Sequence, residues 1–237
     1  MQHDPKEIKM TDQPFDKMLS ENDADQTPDS SLAEVEAPQT GIQIGNFSSH
    51  VDFSSDDIVI PRIRLAQGLT AEVQDGTAKP GQWLLTGFDP VDELTVVPVM
   101  FSRQRALRDD EGAVLCKSQD SITGEGIPGG TCQFCPMNQW ADGPKGERVP
   151  PQCVFSYVYI VYVAEFESMA LIEFRRTNIQ AGKTVNTMAA QRGLGNFAVK
   201  VKAAKQQGKR GTFYSTIVQP VTVDKKVLEA ARAFTGS

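Results

Sequence analysis

Val154-Phe-Ser-Tyr-Val-Tyr-Ile-Val-Tyr-Val163 carries the strongest strand signal in the chain. β-Branched and aromatic residues fill it, and such side chains suit a pleated, packed surface. The two-residue period of a strand puts Phe155, Tyr157 and Tyr159 on one face. Val154, Val158 and Ile160 fall on the other. The run extends to Phe166 but is too short to cross a bilayer as a helix, and it includes Tyr157, Tyr159 and Tyr162. The N-terminus has no charged-then-apolar leader pattern. A soluble, cytoplasmic protein with no membrane partner is expected.

Working outward toward the C-terminus, Glu165–Ser168 turns and Ala170-Leu-Ile-Glu-Phe-Arg-Arg176 returns as a strand. Asn178 is placed to cap a helix that runs through Gln191 and stops at Gly193. Phe197-Ala-Val-Lys-Val-Lys202 alternates, and Gly211-Thr-Phe-Tyr-Ser-Thr-Ile-Val218 pairs with it across the basic turn Lys205–Arg210. Asp224 caps a last helix, within 224–235. Toward the N-terminus, Ala113–Cys116, Leu94–Arg105, Gln82–Thr86 and Ile58–Leu65 read as strands separated by turns. Pro61 suits a strand start or an edge.

About eight short strands with no βαβ alternation predict a mainly β fold. The expected architecture is an antiparallel barrel resembling the oligonucleotide-binding (OB) fold, with a loop insertion and one or two helices. Residues 1–57 read as a disordered acidic arm, and 58–237 as the folded domain.

All four cysteines of the 237-residue chain lie between 116 and 153. Cys132-Gln-Phe-Cys135 forms a two-thiol knuckle, and Cys116 and Cys153 flank it at strand ends. The Gly- and Pro-rich sequence between them has little apolar content to form a core. Four thiolates make a closed tetrahedral set, so a structural zinc insertion over 116–153 is expected. Spacing alone leaves an iron–sulfur cluster open.

The net charge of −6 hides an asymmetry. Residues 1–57 hold three Lys and thirteen acids, a net of −10. Residues 165–237 hold twelve Lys or Arg and five acids, a net of +7. Cations interleaved with aromatics on strands suit a single-stranded nucleic acid, through phosphate contacts and base stacking. The candidate DNA-binding set is Arg62, Arg64, Arg103, Arg105, Tyr157, Tyr159, Arg175, Arg176, Lys200, Lys202, Lys209, Arg210, Phe213 and Tyr214. Trp140 is a further aromatic candidate. Catalysis is not expected. The only histidines, His3 and His50, lie in the arm, and no triad, phosphate loop or dinucleotide fingerprint occurs.

A family resemblance follows from several stretches. They are Pro61-Arg-Ile-Arg-Leu-Ala-Gln67, Lys79-Pro-Gly-Gln-Trp83, Val96-Val-Pro-Val99, the cysteine loop ending in Cys153-Val-Phe-Ser-Tyr157, Leu171-Ile-Glu-Phe-Arg-Arg176, and Gly211-Thr-Phe-Tyr214. Together, over roughly 58–223, they resemble bacteriophage single-stranded DNA-binding proteins. The resemblance implies an OB barrel that coats DNA in replication or recombination without sequence preference. It also implies an acidic tail that recruits other replication or recombination proteins, although here the acidic segment is N-terminal. The second expectation is a zinc-stabilised protein–protein adaptor that binds no nucleic acid.

Overall fold

A computed structural model describes residues 59–144, 146–208 and 211–234. The acidic arm, Ile58, Lys209 and Arg210 lie outside the described residues. In chain order the elements begin with β1 (Arg62–Leu65), α1 (Ala71–Gln74), β2 (Trp83–Leu85) and β3 (Glu93–Arg108). The cysteine region holds β4 (Val114–Ser118), β5 (Thr123–Gly126), β6 (Gly130–Thr131), β7 (Ala141–Asp142) and β8 (Arg148–Val149). Then come β9 (Val154–Val163), β10 (Ser168–Arg175), α2 (Ile179–Arg192), β11 (Ala198–Gly208), β12 (Gly211–Val221) and α3 (Lys225–Ala233).

Among the described residues the main sheet has ten strands, and its spine runs β2-β1-β10-β9-β3. Beyond β3 it forks. β11 and then β12 follow the first part of β3, and β4, β5 and β6 follow its last part. β9 pairs with β10 on one side and β3 on the other, both antiparallel. β1 joins β10 in parallel, with Arg62 opposite Leu171. β7 and β8 form a separate two-stranded ribbon.

The outer residues of β9 explain the layering. Tyr159, Val161 and Val163 pack with Ile172 and Phe174 of β10 and with Val185 and Met188 of α2. Ile160 and Tyr162 point the other way, into a second cluster with Val97, Val99 and Ala231 of α3. Each such buried aliphatic or aromatic side chain contributes about 1.5–3 kcal/mol relative to exposure. Both faces of the strand are apolar, so both need cover, and α2 and α3 supply it.

This corrects the expected fold. A closed OB-type barrel does not form. The hydrogen-bonded paths end at β2, β6 and β12, and no ladder joins β12 to β1 among the described residues. The fold is mixed α/β on an open sheet. A small barrel packs its interior only, and a strand apolar on both faces does not suit that geometry. The parallel β1–β10 pair also departs from the antiparallel expectation.

A bulge in β3 sets which side chains reach which face. Val97 lies opposite Tyr162 and Pro98 opposite Val161, but Met100 is next, opposite Ile160. Val99 is the extra residue. Pro98 has no N–H to give to a ladder and sits at this irregularity, while its carbonyl accepts from Gly195 N–H at 2.8 Å. Before the bulge, even positions Leu94 and Val96 face α2. After it the parity flips, and Phe101 lies 5.0 Å from the Tyr159 ring, on the same face.

α2 comes close to the sheet at Gly182. A Cβ there would stand 2.7 Å from Tyr157 Cδ2 and 3.0 Å from Phe174 Cβ. Alanine favours a helix over glycine by about 1 kcal/mol, but overpacking costs about 1–3 kcal/mol. Gly182→Ala is therefore expected to lower unfolding stability in urea by about 1 kcal/mol. An unchanged or raised midpoint would show that α2 has room to shift.

Candidate functional site

The cysteine loop is ordered by its own backbone. β4, β5 and β6 pair in short antiparallel ladders. Asp120 is a hub that accepts from Ser118 Oγ at 2.9 Å, Ile122 N–H at 2.7 Å and Thr123 N–H at 3.0 Å. These bonds, the Ile122 amide's first, hold the Asp120 carboxyl below the usual aspartate range. Asn138 Nδ2 donates to the Cys132 carbonyl at 2.9 Å, and Cys153 N–H donates to the Met137 carbonyl at 2.8 Å.

All four cysteines are free thiols and border one small cavity of about 10 Å³. The expected zinc site is nevertheless corrected. Among the described residues no group of three or more His, Cys, Asp or Glu side chains could hold a metal ion. The premise that a metal must order this stretch also fails, because the ladders and the Asp120 hub supply the order. Burial pushes the Cys153 thiol up, against the nearby Arg105 cation.

The basic residues singled out from sequence divide into two groups. Arg62 pairs with Glu173 at 3.7 Å and Arg64 pairs with Glu72. Lys200 and Lys202 both turn to Glu93, Lys202 at 2.9 Å. Their hydrogen bonds hold the Glu93 carboxyl below its usual range. Arg103, Arg105, Arg175 and Arg176 have no acidic partner within ion-pair distance among the described residues. Among the aromatics, Tyr159 is buried under α2 with its hydroxyl on Asn186, and burial pushes its phenol up. Tyr157, Phe213 and Tyr214 are half-buried.

Arg105 borders a cavity of about 720 Å³. The flipped parity of β3 sets it opposite Phe155, and its Cζ lies 5.0 Å from that ring. Nη1 donates to Asn138 Oδ1. Nε is buried and has no hydrogen-bond partner among the described residues. Trp140 and Arg176 also border the cavity. Trp140 is 57% exposed, and the Arg148 guanidinium lies 5.6 Å from its ring. Sequence reasoning named Arg105 and Arg176 but not Asn138 or the pairing with Phe155. The bulge that creates this grouping leaves no periodic signal.

Open sheet, two cover helices and a cationic aromatic cavity define a β-rich mixed α/β protein outside the barrel class. The chain belongs to the Pam3 phage gp34-like protein family, whose model matches residues 43–237. No curated protein and no solved structure matches it. The resemblance to OB-fold phage DNA-binding proteins is thereby corrected. The zinc-stabilised DNA-coating protein and the zinc-stabilised adaptor are both overturned, since each needs a metal cluster that is not found among the described residues. No helix among the described residues is long and apolar enough to cross a membrane.

The Asp120 hub gives a direct test. Folding lowers its pKa, so its contribution is complete above the ordinary value of about 4 and fades as pH falls through the lowered one. Asp120→Ala is expected to speed trypsin cleavage after Lys117 near neutral pH, with Tyr159 and the core intact by near-UV circular dichroism. Cleavage at the wild-type rate would mean that the ladders alone order the loop.

Proposed function

We propose that this protein is a non-catalytic binding protein whose Arg105 cavity takes an anionic, planar ligand, namely a nucleotide unit. The observation that carries this reading is the Arg105 guanidinium, which has a buried Nε–H without a partner among the described residues and no carboxylate beside it. A hydrogen bond from a guanidinium to an anionic acceptor is charge-assisted and contributes about 1.5–3 kcal/mol, and no carboxylate borders the cavity to compete for it. Trp140 offers an exposed ring for stacking, worth about 1–3 kcal/mol per base. Arg176 supplies a second cation at the same cavity.

Absence of catalysis belongs to the same proposal. The nucleophile at this cavity is the Cys153 thiol, and its raised pKa keeps it protonated near neutral pH. A cytoplasmic location, and a replication or recombination partner for the acidic residues 1–57, are likewise proposed.

Isothermal titration calorimetry with adenosine monophosphate, inorganic phosphate and a short oligothymidine tests the reading. Saturable binding of the nucleotide is expected, with Arg105→Ala weakening it about tenfold or more. Trp140→Ala, at an exposed position, should also weaken it. Binding of the oligonucleotide without binding of the mononucleotide would overturn the reading of a nucleotide-sized site. Equal binding of phosphate and nucleotide, or no binding of any probe, would overturn the reading.

A further inference from the structure

We infer a second anion site, in the gap between β1 and β12 where a barrel would have closed. It does not rest on the Arg105 cavity. The gap is a cavity of about 380 Å³, bordered by Arg62, Arg64, Arg175, Trp83, Gln67 and Asn178. That volume lies within the range of small-molecule pockets, roughly 300–1,000 Å³.

Side-chain amides, not a ladder, span the gap. Gln67 Nε2 donates to the Tyr214 carbonyl, and Tyr214 N–H donates back to Gln67 Oε1, both at 2.9 Å. Thr216 N–H donates to Asn178 Oδ1 at 2.8 Å. Both amides are thus committed to β12, which fixes the walls. What remains uncommitted is cationic or donating. Arg175 has no ion pair among the described residues, and the Arg62–Glu173 pair is long and 60% exposed on its Arg side.

Trp83 borders the cavity and reports on its occupancy. Its side chain is buried, with the residue only 3% exposed, yet its Nε1–H has no acceptor among the described residues. An indole N–H can only donate. Of the three guanidiniums at the cavity, Arg64 is held by Glu72 and Arg62 by its long contact with Glu173, so Arg175 is the one with no carboxylate partner among the described residues, and an oxyanion is the acceptor that suits it. The ligand class is a phosphate-bearing small molecule, its phosphate facing Arg175. The cavity has room for more than the phosphate alone.

The chain has two tryptophans, so two indole N–H signals report on the two cavities separately. They are assigned in a ¹H–¹⁵N spectrum with Trp140→Phe, then followed as inorganic phosphate and glycerol 3-phosphate are added to the full chain. A saturable shift of the Trp83 signal is expected with both probes, stronger for the ester. Arg175→Ala, at an exposed position, should weaken it about tenfold with the Trp83 signal otherwise retained. A linear, non-saturating shift would mean an adventitious ion only and would overturn the site. So would a Trp83 signal unmoved at tens of millimolar phosphate. Phosphate that moves Trp140 but leaves Trp83 still would overturn this site while supporting the Arg105 cavity.

Discussion

β9 cannot leave either face in water. Tyr159 and Val161 on one side, and Ile160 and Tyr162 on the other, are all buried. Two separate layers must therefore be built around one strand. The β9–β10 hairpin feeds α2 back across the first face, and the chain end brings α3 onto the second. Once both faces are covered by helices, the sheet has no need to roll up and bury itself. An open sheet with uncapped ladder ends follows from that.

The sheet then spends its regularity at one point. Val99 shifts the register of β3 against β9, and every side chain beyond it changes face. Hydrophobic positions before the bulge serve the core beneath α2. Positions after it, Phe101 and Arg105, continue on that same face past the helix, where cover runs out. A cation is tolerated there because Phe155 and Asn138 take its flat face and one edge. The bulge thus converts core-building periodicity into a ligand-facing one without a change of strand.

The local elements were largely legible in the sequence, and the long-range ones were not. β9 was clear from its run of β-branched and aromatic residues. The helix bounded by Asn178 and Gly193 was clear too, and Gly193 holds φ +77°, as a helix-ending glycine can. Asn178 departs from the capping role expected of it. Its side chain makes no cap and instead takes the Thr216 amide. That bond, and the parallel pairing of Arg62 with Leu171, join segments with no local signature of each other. The cysteines misled for a related reason. Their spacing matches a metal knuckle, whereas the ordering comes from Asp120 and ladder hydrogen bonds that leave no motif.

The turn after β10 is where these constraints meet. Successive residues of a strand point to opposite sides. Arg175, the last residue of β10, borders the gap beside β1, and Arg176 borders the Arg105 cavity. Arg176 holds φ +50°, a left-handed conformation that costs a residue with a Cβ about 1–2 kcal/mol. Such a conformation persists only where the surroundings fix it. Here β9 anchors one side through the Ser156–Arg175 pair, and the Asn178–Thr216 bond anchors the other. The backbone cost is thus tied to the placement of two adjacent cations in two different cavities, on a fold whose incomplete closure makes room for both.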